Sequence, residues 1–136
     1  MANSWILKSE PSTYSWSDLL RDRSTAWDGV ANAAALINLR AMGKGDEILV
    51  YHSGDEKAIV GIAKVLRAAY PDPALDDPRR VVVDVAAVSP VRQPVTLGQI
   101  KAESRLAQLG LVRQSRLSCM PVNREQRALL ARMGAR

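Results

Sequence analysis

A chain of 136 residues, 47% of them hydrophobic, has room for one domain spanning residues 1–136, and its single cysteine and single histidine exclude a disulfide framework or a multi-cysteine zinc site. Lys and Arg outnumber Asp and Glu by 19 to 14, a balance that favours an anionic partner such as nucleic acid. No apolar run approaches the ~18 residues of a membrane span, and the opening Met1-Ala2-Asn3-Ser4-Trp5 lacks the order of a signal peptide, so the expectation is a soluble, cytoplasmic chain with no membrane partner, a monomer being favoured.

Residues 5–10 read as a strand that alternates Trp5, Leu7 and Ser9 with Ile6, Lys8 and Glu10 before Pro11 stops it. Ser15 and Asp18 form a capping box that opens a short helix to about residue 23. Residues 27–30 read as a loop, and Asn32 caps a helix over residues 33–42 that Gly43 ends. Strands follow at residues 47–53 and 58–68, the second containing Gly61, where a bulge or a close backbone approach is the usual cause. Residues 71–78 are too rich in proline and aspartate for regular structure and lead into a strand at residues 80–88. Thr96 caps a helix over residues 97–102, a second helical piece covers residues 105–109, and residues 117–122 form a strand that Pro121 demotes to an edge. Asn123 with Gln126 opens a closing helix through Met133. Strands that do not alternate regularly with helices indicate an α+β fold with a small curved sheet or barrel.

The charge and the rings are placed unevenly. Residues 104–136 hold seven Arg against one Glu, whereas Trp5, Tyr14, Trp16, Trp27, Tyr51 and Tyr70 all fall in the first 70 residues. Stacking rings and a basic tail suit a nucleobase site if the two halves meet in space, and they equally suit a core and a solvated helix face. Catalytic patterns are weak. His52 and Ser53 point to opposite faces of one strand and cannot share a proton, and Cys119 in an apolar strand reads as inert core. Lys8 and Glu10 share a strand face, either as a surface ion pair or as a desolvated lysine with its carboxylate. Gly43, Gly45 and Gly54 match no phosphate-loop spacing, so no cofactor is indicated.

Six strings in order, Lys8-Ser9-Glu10-Pro11, Trp27-Asp28-Gly29-Val30 with Asn32, Leu39-Arg40-Ala41-Met42, Tyr51-His52-Ser53, Ala69-Tyr70-Pro71-Asp72 and Gln114-Ser115-Arg116-Leu117-Ser118, resemble the EVE domain family over nearly the whole chain. The resemblance implies a PUA-like pseudobarrel of about five or six strands with flanking helices, related to YTH and ASCH domains. It further implies a non-enzymatic module that binds DNA or RNA and recognises a modified base, modified cytosine being the leading candidate. Carried over by position, the pocket would be lined by Trp5, Lys8, Ser9, Trp27, Asp28, Gly29, Val30, Asn32, Tyr51, His52, Ser53, Arg116 and Ser118. On that reading Trp5 or Trp27 stacks on the base, Asn32 and Ser53 read its edge, and Arg116 and Lys8 hold phosphates, with Arg113, Arg124 and Arg127 extending the charged surface.

The chain departs from the family pattern at Ala31, Ala33, Ala34 and Leu36, where Arg, Tyr, Gln and Arg are common, and at Met120 in place of Gln. Two cations and one ring are thereby lost from the helix nearest the expected pocket. Two alternatives stay open: a small amidohydrolase acting on an acylated pyrimidine nucleoside through Lys8 and Glu10, and a small-molecule or protein interaction module that has lost nucleic-acid binding.

Overall fold

The computed structural model describes residues 3–136. Its elements in chain order are β1 (Ser4–Ser9), α1 (Trp16–Asp22), β2 (Ser24–Trp27), α2 (Ala33–Ala41), β3 (Glu47–His52), β4 (Ala58–Pro71), β5 (Val81–Thr96), α3 (Leu97–Ala102), a 3-10 turn (Ser104–Leu106), α4 (Gly110–Arg113), β6 (Cys119–Val122) and α5 (Arg124–Met133). The strands form one mixed six-stranded sheet in the order β2-β5-β4-β3-β1-β6, an α+β fold as expected. Helix α2 packs on β6 at one end of that order and on β5 near the other, so the sheet must curl around it. Asn38 Nδ2 fastens the helix to the Cys119 carbonyl at 2.7 Å. On the two faces of the sheet Ile6, Leu7, Leu39, Ile48, Ile59 and Met120 are without measurable exposure.

The expected caps form. Ser15 with Asp18, Thr96 with Gln99 and Asn123 with Gln126 are reciprocal capping boxes, and Asn32 Oδ1 accepts from Ala35 N at 3.0 Å. Gly61 is both predicted things at once. The β4–β5 register shifts beside it, and the Trp16 ring lies where its Cβ would be, 2.3 Å from the nearest ring atoms.

Three elements differ from the sequence reading. Strand β2 was absent from it, because four residues, Ser-Thr-Ala-Trp, directly after a helix carry too little apolar alternation; pairing with Val83–Ala86 of β5 is what makes them a strand. Strand β5 runs on to Thr96 despite Pro90 and Pro94. The register jump from Ile59↔Val95 to Gly61↔Pro90 sets residues 91–94 outside the β4 ladder, where Arg92 N and Gln93 N donate instead to the Arg136 and Gly134 carbonyls. Finally, of the helical piece expected at residues 105–109 only the 3-10 turn forms, and Gly110 begins α4 rather than ending a helix.

A buried carboxylate ties the start of the chain to the turn before β3. Asp46 accepts from Gly43 N at 2.8 Å, Trp5 Nε1 at 2.9 Å and Asn3 N at 3.0 Å. Burial pushes its carboxyl up, but those three donors outweigh the burial and hold it below the ordinary 3.8. A carboxyl depressed in the folded state contributes stability above its unfolded pKa and loses it as pH falls through the folded one. The melting temperature should therefore drop as the pH is lowered from 5 to 3. Asp46→Asn should destabilise at pH 7 by about 2 kcal/mol and flatten that acid limb, because charge-assisted hydrogen bonds are lost; a variant with the parent's acid profile would assign the limb to other groups.

Candidate functional site

Parallel pairing of β1 with β3 sets Lys8 beside Tyr51 and Ser9 beside His52. Each pair shares one face, and the two pairs lie on opposite faces. The Lys8 ammonium accordingly lies 5.9 Å from the Tyr51 ring centroid, and it donates to the Ser115 carbonyl at 2.7 Å. Burial lowers the Lys8 pKa and raises that of the Tyr51 phenol. Ser118 contributes through its backbone, its carbonyl accepting from Lys8 N at 2.9 Å.

Past the end of β1 the chain turns at Pro11, and Thr13 N and Tyr14 N both donate to the Glu10 carbonyl. This turn returns Tyr14 toward β1, where Ser9 Oγ donates to its carbonyl. Opposite it runs β2, held out by its pairing with β5. Between them opens a cavity of about 470 Å3 lined by Lys8, Ser9, Glu10, Thr13, Tyr14, Thr25, Ala26, Trp27, Asp28 and Gly29, a volume within the usual small-ligand range. Tyr14 and Trp27 meet there edge to face, with centroids 6.3 Å apart and planes at 88°. The pair thus sets two ring planes at right angles on the cavity wall. Tyr14 Oη donates to Asp22 Oδ2 at 2.8 Å, and burial together with that carboxylate raises the phenol's pKa. Asp28 is exposed and its carboxylate has no hydrogen bond or ion pair among the described residues. Gly29, at φ +80°, makes the turn that ends this wall.

A second, smaller cavity of about 330 Å3 takes Lys8 as a common wall and adds Tyr51, Ser53 and residues from the later chain. The site residues expected from sequence are therefore split. Lys8, Ser9, Trp27, Asp28 and Gly29 line the first cavity, whereas Tyr51 and Ser53 line the second with Lys8. His52 is buried between neighbours: Nε2 accepts from Trp16 N at 2.9 Å, which places the ring proton on Nδ1, 3.1 Å from Glu56. Val30 is buried and its carbonyl accepts from Arg80 Nε at 3.0 Å. Trp5 is 6% exposed, has its indole N–H bound by Asp46 and faces the groove between α2 and β6. Asn32 is exposed and caps α2, lining neither cavity, and Arg116 is exposed and lines neither.

The basic tail is partly neutralised within the chain. Arg127 is bound to Glu47 and to the Ala135 carbonyl, Arg113 donates to Gln108, and Arg105 pairs with Glu103 at 2.9 Å. The cations that line the cavities are lysines. Lys8 and Glu10 both reach the first cavity, yet no hydrogen bond joins them: Lys8 is held by Ser115 and the Glu10 carboxylate accepts from Ser12 and Ser53. The Cys119 thiol, fully buried, is pushed up to about 12 and offers no thiolate.

Sequence reasoning missed Tyr14, Thr25, Lys57 and Lys101. A signal for the first two existed in retrospect, since Thr25 and Trp27 alternate as strand neighbours on one face and Tyr14 is a ring in a polar turn. Nothing local marks Lys57 or Lys101.

The curled mixed sheet with its flanking helices defines a domain of α+β class, and its ring-lined cavity lies beside lysines. The chain belongs to the EVE domain family, whose model matches residues 3–133. Among relatives, thymocyte nuclear protein 1 of Rattus norvegicus is 30% identical over 160 residues, covering 93% of this chain and 71% of the rat protein. A Rhodopseudomonas palustris protein solved by NMR superposes with a TM-score of 0.92 at 44% identity, covering 98% of this chain and 93% of that one. Human thymocyte nuclear protein 1, crystallised in complex with DNA containing 5-methylcytosine, superposes with a TM-score of 0.87 at 29% identity over 95% of each chain. An ASCH protein of Zymomonas mobilis shares the fold, with a TM-score of 0.60 at 11% identity.

Proposed function

We propose that this protein is a non-enzymatic nucleic-acid binding module that takes a modified cytosine out of its stack into the cavity between Tyr14 and Trp27. The perpendicular ring pair carries the reading, because a flat heterocycle stacked on one ring turns its edge toward the face of the other. The human relative bound to 5-methylcytosine DNA supports the choice of base. Stacking would supply affinity, on the order of 1–3 kcal/mol per base. Asp28, an acceptor without a partner, suits the exocyclic amino group of cytosine, and the two rings offer apolar contact to a 5-methyl group. These assignments move the edge-reading role from Asn32 and Ser53 to Asp28.

Titration of tryptophan fluorescence with short single strands carrying 5-methylcytosine, cytosine or thymine at one position tests the proposal. Burial of one methyl group at about 0.8 kcal/mol corresponds to about fourfold tighter binding of the methylated strand over cytosine. Equal affinity for all three strands would defeat it. The hydrolytic alternative separates in parallel: incubation with N4-acetylcytidine should release no acetate, and release that disappears in Lys8→Ala would replace a reader with an enzyme.

A further inference from the structure

Across Lys8 from the ring-lined cavity, the second hollow has a different chemistry. Lys8 from β1, Lys57 from the β3–β4 turn and Lys101 from α3 line it together with the Ser53 and Ser115 segments. No carboxylate is among its lining residues. Of the nearby acids, Glu10 borders the hollow at Gly54 and accepts from Ser53, Glu56 faces His52, and Asp55 lies outside the lining. Lys57 and Lys101 are exposed, and their ammonium groups make no hydrogen bond or ion pair among the described residues. Lys57 moreover stands at φ 48°, left-handed backbone that glycine or asparagine adopts more readily than lysine. With three ammonium groups against the one carboxylate of Glu10 the hollow keeps a positive balance, and an anion there would gain from it.

We propose that this hollow holds a phosphodiester of the same strand whose base enters the ring-lined cavity, with Lys8 as the wall common to base and phosphate. It rests on the function proposed above and adds to it a backbone site built of lysines 44 residues and more apart in sequence. Such a site positions the strand without reading it, since phosphate contacts carry no base information.

The test is the salt dependence of binding between 50 and 200 mM, measured with methylated and unmethylated single strands for the parent, for the double variant Lys57→Gln/Lys101→Gln, and for Lys64→Gln as a charge control on exposed β4 surface. Each lost phosphate contact lowers the log–log salt slope by about 0.7 on single strands. With one phosphate at stake, the fall in affinity over that range should accordingly shrink by up to about threefold in the double variant, equally for both strands, while Lys64→Gln keeps the parent's slope. A double variant with the parent's slope overturns the proposal, as does an equal flattening by Lys64→Gln. If the parent shows no preference for the methylated strand but the double variant still flattens the slope, the base reading falls and the phosphate site stands; a preserved preference with an unchanged slope is the reverse. Lys57→Asn, matched to the left-handed backbone, serves as a second variant should glutamine lower the melting temperature.

Discussion

Asp28→Ala should weaken binding of a 5-methylcytosine strand by about fivefold to 150-fold, in line with the 1–3 kcal/mol of a good edge contact, while leaving the melting temperature unchanged. The side chain is exposed and unpartnered, so its removal opens no cavity and orphans no donor. Its effect belongs to the complex. The choice of base gives the prediction a sharper form: 5-methylcytosine and thymine carry the same methyl group and differ along the edge, where cytosine presents an amino donor and thymine an oxygen acceptor. A carboxylate can accept from the first and can only repel the second. Asp28→Asn, whose amide both donates and accepts, should therefore narrow the gap between 5-methylcytosine and thymine strands. Calorimetry on the three strands with both variants decides it, and an unchanged ratio would remove Asp28 from the edge.

The largest effect on stability is expected at Gly61. A Cβ there would stand 2.3 Å from Trp16 Cδ2 and Cε3 and 2.5 Å from Cε2, contacts that real Cβ atoms do not make. The indole is 7% exposed and cannot swing clear without leaving the core. Trp16 also begins α1 and donates its backbone N–H to His52, so displacement of its ring loosens the helix from β3. Gly61→Ala should cost about 3 kcal/mol, the upper part of the range for overpacking a core, and lower the melting temperature by about 10 °C. Trp16→Leu should relieve part of this cost, giving a double variant less destabilised than the sum of the singles. A Gly61→Ala protein that melts with the parent would show that the ring and strand part readily.

Binding and stability thus draw on the two tryptophans differently. Trp27 is 8% exposed yet lines the cavity, so its substitution would confound folding with affinity; Tyr14, half-buried in a turn, offers the cleaner test of stacking.

Much of the fold was legible locally. The capping pairs Ser15–Asp18, Thr96–Gln99 and Asn123–Gln126 place their helices because each box satisfies backbone donors within four residues, whatever the rest of the chain does. Alternation along β1 and β3 likewise settles which side chains share a face. Strand β2 and the second half of β5 were not legible, since their hydrogen bonds go to partners some 60 residues away in one case and to the C-terminal carbonyls in the other.

The site divides in the same way. From sequence alone came the family resemblance, the strings around Lys8 and Trp27, and an excess of positive charge. Tertiary structure alone decided which ring faces which. It put Tyr14 against Trp27, withdrew Trp5 to Asp46, engaged Arg127 with Glu47, and brought Lys57 and Lys101 to Lys8. The physical reason is range: caps and strand alternation are interactions between near neighbours in the chain, whereas a cavity wall is the sum of contacts that exist only after the sheet has curled and its strands have taken their register.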